Sequence, residues 1–235
     1  MSYRSRSTKR GRISKRYEEY AYVLDYLPRG NPVDRHPRHR GKPLVQLVGE
    51  DYFVLLEATP RHGQLMGTGE RVYIGPITEM RLKIFRVETE IEYNDLTMNA
   101  KQALPLVVED IIRKRETIFI EFFNIAGPIN IRFHVLELLP NIGRKTILKI
   151  LERREKKPFT SFEELKNIIH ADPAKILAER IIEELKGGQR YYLFVPPPSS
   201  ELTQPVRPIF YDYLTAIYEK LGKSFAEKEE DKDKT

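Results

Sequence analysis

A turn rich in proline, asparagine and glycine separates two apolar helical patterns in the segment 138–145, which reads Leu-Leu-Pro-Asn-Ile-Gly-Arg-Lys. The apolar positions are Ile131, Val135 and Leu138 before the turn and Ile147, Ile150 and Leu151 after it. Pro140, Asn141 and Gly143 suit backbone positions that need a fixed or positive φ. The sequence therefore predicts two helices joined by a tight turn.

Such a turn can bind a phosphate group. The first N–H groups of the second helix point outward, and the helix dipole favours an anion there. Gly143 has no side chain to block the approach, and two bases follow it directly. The predicted contacts are Asn141, Ile142, Gly143, Arg144, Lys145 and Lys149. The alternative is a helix–turn–helix unit that serves packing alone.

The motif Leu-Pro-Asn-Ile-Gly followed by two bases resembles the helix-hairpin-helix hairpin, whose usual form is Leu-Pro-Gly-Ile-Gly. That resemblance implies binding to the phosphate backbone of DNA or RNA without reading of the base sequence. The departure is Asn141, where the family has glycine. Because asparagine is well tolerated at positive φ, we expect the turn to persist.

Positive charge is concentrated at the N-terminus. The chain has a net charge of +6, and residues 1–42 contain 12 Lys and Arg against 4 Asp and Glu. Residues 1–16 contain almost no apolar residues and no acid, which predicts a disordered arm that follows a phosphate backbone. Its bases are Arg4, Arg6, Lys9, Arg10, Arg12, Lys15 and Arg16. A tail that only improves solubility is the alternative.

A second basic stretch, punctuated by proline, contains Arg35, Arg38 and Arg40, which we also predict to contact nucleic acid. His36 and His39 in the same stretch have no third ligand nearby, and the chain has no cysteine, so we expect no metal site and no cofactor. The absence of cysteine excludes disulfides. Without an apolar run of membrane-spanning length or a secretory signal, a soluble cytoplasmic protein is expected.

Short apolar runs in the first half predict strands at 21–27, 44–48, 52–58, 71–74, 82–93 and 117–123. One helix, opened by Thr97 and closed by residues 113–115, falls among them. Strands interrupted by one helix predict an OB-like small β-barrel over residues 17–125, which binds single strands through an aromatic and basic face. Arg61 and Arg71 are its predicted nucleic-acid contacts; Tyr52 and Tyr73 suit the core better than that face.

The second half is predicted to be helical. Ser161 and Glu164 form a capping-box pattern, and two helices around Asp172 predict a second hairpin that lacks glycine. Residues 126–195 would thus be a tandem helix-hairpin-helix domain, closed by a strand at 191–195. Residues 196–235 are predicted to be a proline-rich linker, an amphipathic helix with an apolar stripe over 209–221, and a charged tail. That stripe would either pack on the protein or contact a protein partner.

Several phrases together resemble one family. They are YAYVLDYLPRG at 20–30, GERVYIG at 69–75, IEYNDLT at 91–97, FIEFFNIAGPINIRFHVLELLPNIG at 119–143 and PFTSFEEL at 158–165. The chain is similar to the archaeal domain-of-unknown-function 655 family over residues 17–195. The resemblance implies an α+β fold, with an OB-like barrel followed by tandem helix-hairpin-helix motifs. It implies no activity.

We therefore expect a non-enzymatic nucleic-acid-binding protein, with RNA favoured over DNA and ribosomal RNA as one candidate. A DNA-binding or repair accessory protein is the alternative within this class. A metal-dependent nuclease is the alternative from another class, because Glu88, Glu90 and Glu92 alternate along a predicted strand and would face one side of it.

Overall fold

A computed structural model describes residues 17–30 and 41–222 of the protein. The strands are β1 Tyr20–Leu27, β2 Leu44–Gly49, β3 Leu55–Pro60, β4 Arg71–Tyr73, β5 Ile84–Glu90, β6 Pro128–Asn130, β7 Phe133–His134, β8 Tyr191–Tyr192 and β9 Ile209–Phe210. The helices are α1 Met98–Lys114, α2 Glu116–Ile125, α3 Arg144–Lys156, α4 Phe162–Ile169, α5 Pro173–Lys186 and α6 Tyr213–Lys220. One-turn 3-10 helices lie at Thr78–Met80, Tyr93–Asp95 and Val135–Leu138. The predicted mixture of helices and strands is confirmed.

The first five strands form an antiparallel sheet in the order β4-β1-β2-β3-β5, which curls into a half-barrel. The strand β1, which lies between β4 and β2, is buried on both faces. Ala21 and Val23 pack inside the curl, whereas Tyr22 and Leu24 face the helices. This two-sided burial explains why β1 reads as a nearly continuous apolar run.

The helix expected among the strands instead follows the last of them. Buried polar contacts fix its start: Thr97 accepts a hydrogen bond from the N–H of Ala100, donates to Asp25 at 2.6 Å, and donates its own N–H to Gln46 at 2.8 Å. Thr97 is therefore the N-cap of α1, as predicted. The helix α1 contacts both the sheet and α5. It thereby joins the two halves of the structure.

The prediction of a strand at 117–123 is wrong, because these residues lie in α2. A short apolar run does not distinguish a buried strand from a buried helix, and β-branched and aromatic residues are only weakly averse to helices. Ile118, Phe119, Phe122 and Phe123 are all buried in the larger core. That core continues past the predicted domain boundary at residue 125, into α3, α5 and α6.

The prediction of a helix that leads into the turn is also wrong. After α2, Gly127 and Pro128 start the short β6–β7 hairpin, whose turn leaves Ile131 fully exposed. His134 and Glu137 then cap a new start, and only the single 3-10 turn at Val135–Leu138 remains. The segment is too short for anything longer, since Pro140 follows at once.

At the C-terminus, β8 and β9 pair in parallel, and α6 packs against α2. The predicted strand at 191–195 is limited to β8. Within α6, Leu214, Ile217 and Tyr218 are buried in the common core. The middle of the apolar stripe predicted at 209–221 therefore packs on the protein itself, whereas Ile209 lies in β9 and, like Leu221, is exposed. No described helix is long and apolar enough to cross a membrane.

Candidate nucleic-acid interface

In the turn before α3, one of the two positions predicted to have positive φ has it and the other does not. Asn141 adopts φ 62°, the left-handed conformation predicted for it. Gly143 does not: its φ of −90° and ψ of 166° are open to any residue, so the expectation of positive φ there is wrong. The space beside Gly143 is open, since a Cβ there would meet no described atom within 4 Å.

Buried apolar contacts hold the turn in place. Leu139 and Ile142 flank it and are 2% and 6% exposed, and the Ile142 N–H reaches the Leu139 carbonyl at 3.5 Å. On α3 itself, Ile147 and Ile150 face the core as predicted. The opposite face of the helix, which carries Lys145 and Lys149, is exposed.

Side chains from α3 and the loop after it fix the helix against α2. Arg154 donates to the carbonyl oxygens of Phe123 and Ala126 at 2.8 and 2.7 Å, satisfying the C-terminal end of α2. Asn124 exchanges two hydrogen bonds with the backbone of Phe159, at 3.1 and 2.8 Å. The orientation of α3 is thus set by contacts away from its N-terminus.

The N-terminus of α3 differs from the other helix starts in the described part of the chain. Side chains of Thr97, Ser161, Asp172 and Asp212 cap α1, α4, α5 and α6, and α2 has Glu116 in its first turn. The helix α3 has neither a capping side chain nor an acid in its first turn. Its first N–H groups, from Arg144 to Thr146, have no acceptor within the described residues. They remain available to a ligand.

Three bases lie in the first two turns of α3, near these N–H groups. Arg144 is 81% exposed, and among the described residues it pairs with Glu137, whose carboxylate lies 3.4 Å from the guanidinium. Lys145 and Lys149 are exposed and have no ion pair within the described residues. Two bases in the first turn oppose the helix dipole, so this placement favours anion binding over helix stability.

The second predicted hairpin, between α4 and α5, has different chemistry. His170 takes the left-handed position at φ 58°, where the motif has glycine. Asp172 accepts from the Ala174 N–H at 3.0 Å and pairs with Arg113, so an acid already occupies the start of α5. Arg180 is buried against Glu184 at 2.8 Å. This hairpin therefore offers no comparable anion site.

A groove of about 630 Å³ adjoins the turn on the side away from α3. Its lining includes Glu137, Leu138, Pro140, Glu179, Glu183 and Lys186. The two cations of the lining, Arg180 and Lys186, are already paired with Glu184 and Glu183, so the groove is a poor site for a phosphate. An anion would approach the turn from the α3 side instead.

The predicted contacts on the sheet have internal partners. Arg61 donates to the carbonyl oxygens of Arg81 and Thr78 at 2.6 and 3.3 Å. Arg71 pairs with Glu50 at 2.7 Å and lies 3.4 Å from the ring centre of Tyr20. Arg61 and Arg71 are thus engaged by partners within the protein.

Tyr52 and Tyr73 are 6% and 8% exposed, which confirms the interpretation of both as core residues. The other predicted contacts in 1–16 and at Arg35, Arg38 and Arg40 lie outside the described residues. So does the His36–His39 pair.

The three glutamates proposed for a nuclease do not share one strand face. The strand β5 ends at Glu90, and Glu92 instead caps the 3-10 turn at Tyr93–Asp95. Glu88 pairs with Arg86 at 2.8 Å and accepts from the Thr59 hydroxyl at 2.5 Å. No group of three or more potential metal ligands occurs within 17–30 and 41–222.

Comparison with known proteins gives consistent results. A family model described as a protein of unknown function, DUF655, matches residues 17–196. An uncharacterised protein of Methanocaldococcus jannaschii is 43% identical over 183 residues, covering 77% of this chain and 81% of the relative. The crystal structure of the Archaeoglobus fulgidus protein Af1531, of the same family, has a TM-score of 0.68 and 42% identity, and covers 76% of this chain and all of its own.

Proposed function

The chain belongs to the DUF655 family, and from that premise we propose that it is a non-enzymatic RNA-binding protein that contacts the phosphate backbone at the N-terminus of α3. The observation that carries the proposal is the uncapped start of α3, surrounded by Arg144, Lys145 and Lys149. Backbone N–H groups and bases at a helix start bind phosphate oxygens without reading sequence. Ribosomal RNA is one candidate ligand.

In this proposal the curled sheet is an OB-like barrel, and residues 135–156 are a helix-hairpin-helix unit whose first helix is reduced to one 3-10 turn. The left-handed Asn141 supports that interpretation, since it occupies the place of the motif's glycine. The basic segments at 1–16 and 35–40 add phosphate contacts. Arg61 and Arg71 act in the sheet rather than on the ligand.

The test replaces Arg144 and Lys145 with alanine and measures RNA binding by fluorescence anisotropy at several salt concentrations. We expect weaker binding to all RNA sequences alike, and a salt dependence lowered by about one to two phosphate equivalents. Lys156→Ala with Lys157→Ala is the matched control, because it removes the same charge from the other end of α3. It should leave affinity nearly unchanged.

A loss confined to one RNA sequence, or an equal loss in the control variant, would contradict the proposal. The same titration with duplex DNA at matched salt addresses the alternative of a DNA-binding or repair accessory protein. Tighter binding to DNA than to RNA would favour that alternative.

A further inference from the structure

A row of half-exposed aromatic rings lies on the C-terminal side of the molecule. It runs from Phe133 in β7 to Tyr191 in β8 and Tyr211 after β9, with ring centres 5.9 and 6.3 Å apart. Tyr213 stacks against Tyr211 at 6.2 Å and meets the buried ring of Phe122 at 5.0 Å. The row is therefore anchored in the core at one end.

The backbone holds these rings in a fixed arrangement. The β8–β9 pairing continues through the hydrogen bond from the Tyr211 N–H to the Tyr192 carbonyl, at 2.9 Å. Tyr192 is fully buried, whereas its neighbour Tyr191 points outward, as alternation along a strand requires. Glu184 accepts hydrogen bonds from the three N–H groups that follow β8, at 2.8–2.9 Å. The outward rings are thus preorganised.

Positive charge accompanies the row. Arg132 precedes Phe133, Arg190 precedes Tyr191 and lies 5.5 Å from its ring centre, and Arg207 precedes β9. All three arginines are exposed and have no ion pair within the part of the chain that the structure describes. Asp212, the acid between Tyr211 and Tyr213, caps α6 by accepting from the Thr215 N–H. Aromatic rings with exposed arginines beside them suit a nucleic-acid strand, because its bases can stack on the rings while its phosphates contact the arginines.

We propose that Phe133, Tyr191 and Tyr211 form a stacking surface for the unpaired bases of single-stranded RNA, with Arg132 and Arg190 on the adjoining phosphates. Aromatic side chains stack with any base, and duplex RNA keeps its bases stacked within the helix. The 3-10 turn at Val135–Leu138 links β7 directly to the α3 site. This inference rests on the proposed function and narrows its ligand to RNA with a single-stranded segment.

The experiment compares an oligouridine with an RNA duplex of the same length, at one salt concentration, using the full chain. Tyr191→Leu with Tyr211→Leu removes two rings while it keeps apolar side chains. We expect affinity for oligouridine to fall about 10- to 100-fold, and affinity for the duplex to stay within about two-fold. Tyr26→Leu, which changes a partly buried tyrosine of β1, is the matched control and should change neither affinity.

Two further measurements make the result independent of folding defects. Tyr191→Phe with Tyr211→Phe keeps both rings and should retain oligouridine binding. Ultraviolet crosslinking of the unmodified protein to oligouridine, read by mass spectrometry, should place adducts at Phe133, Tyr191 or Tyr211. Adducts found only elsewhere would overturn the inference, as would equal losses on both ligands or no loss on oligouridine.

The Arg144→Ala, Lys145→Ala variant separates this inference from the function it rests on. If that variant weakens binding to both RNA forms while the leucine variant weakens neither, the proposed function stands and the stacking surface is wrong. If the unmodified protein binds neither form, both are wrong.

Discussion

The arginines of the sheet and the bases of α3 are equally conspicuous in the sequence, yet they have opposite environments. Arg71 pairs with Glu50 and Arg86 with Glu88, and Arg115, which lies between α1 and α2 and reaches the loop after β2, pairs with Asp51. By contrast, Arg144 is 81% exposed and meets Glu137 at 3.4 Å, and Lys145 and Lys149 have no ion pair in the described segments. The sheet arginines stabilise loops and strands, whereas the α3 bases remain available to an outside anion.

The difference shows that the number of bases in a segment says less about binding than their acidic neighbours do. In the described sheet half, Arg71 and Arg115 meet acids that are distant in sequence, and Arg86 meets one two residues away, whereas Arg61 and Arg81 donate to carbonyl oxygens. The first turn of α3 contains no acid at all. Each prediction below therefore changes one residue on one side of this comparison.

The largest effect is expected from Arg115→Ala. The guanidinium donates to the carboxylate of Asp51 and to the carbonyl of Glu50, and both side chains of the ion pair are nearly buried, at 11% and 8% exposure. Removing one partner of a buried pair should lower the free energy of unfolding by about 3–5 kcal/mol. RNA affinity of the folded variant should be unchanged. Urea unfolding and anisotropy measure the two quantities.

Arg86→Ala is the control for Arg115→Ala, because the Arg86 side chain is 65% exposed in its pair with Glu88. It should cost about 0–1 kcal/mol. If Arg115→Ala left stability intact but reduced RNA affinity, the sheet arginines would belong to the binding surface and the comparison would be wrong.

Local signals in the sequence predicted much of this arrangement. The strands of the sheet, the Thr97 cap, the α3 core positions and the left-handed Asn141 all follow from alternation, capping and turn chemistry within a few residues. What failed depended on tertiary context. The apolar run at 117–123 forms a helix because helices and strands enclose it, and no local pattern shows that.

The predictions of the site likewise succeeded where local sequence decides and failed where tertiary contacts decide. Arg144, Lys145 and Lys149 follow from the motif, whereas Arg61 and Arg71 were assigned to the ligand because their partners lie far along the chain. Arg71 meets Glu50 only through the pairing of β1 with β2 and β4. The aromatic row was not predicted, since Phe133, Tyr191 and Tyr211 come from three separate segments. The sequence gives one local indication of the row: in a strand, one of the neighbouring residues Tyr191 and Tyr192 must face outward.

A smaller effect should distinguish the two special positions of the turn. Asn141→Val places a β-branched residue at φ 62°, which should lower the free energy of unfolding by about 1–3 kcal/mol. Gly143→Val, two residues on, meets an ordinary φ and open space, so stability should change by less than about 0.5 kcal/mol. Its RNA affinity should nevertheless fall, because the side chain obstructs a phosphate at α3. Thermal melts and anisotropy on both variants test this.

Equal destabilisation by the two valines would show that Gly143 is constrained in a way that its φ does not reveal. Unchanged affinity in Gly143→Val would place the phosphate elsewhere. Either result would weaken the contrast between α3 and the sheet, since the availability of the helix start is what sets α3 apart.

The smallest effect concerns protonation beside the turn. Burial, together with the positive charge of Arg154, lowers the pKa of His134 below its ordinary value. Its Nδ1 accepts from the Leu136 N–H at 3.1 Å and caps the 3-10 turn that leads to the α3 site, so the neutral ring is required. The unfolded chain binds this proton more readily than the folded one. Stability from His134 is therefore present above about pH 6.5 and is lost as the pH falls.

His134→Asn keeps a capping oxygen but does not titrate. Between about pH 7.5 and 5.5, the free energy of unfolding should fall more in the unmodified protein than in this variant. Glu18 changes over the same interval with the opposite sign, because burial raises its pKa to about 8, but it does so equally in both proteins. The difference between the two urea-unfolding series isolates His134. Parallel pH profiles would show that the neutral ring of His134 contributes nothing to the support of the α3 site, and that the site's rigidity comes from Arg154 and the buried apolar contacts alone.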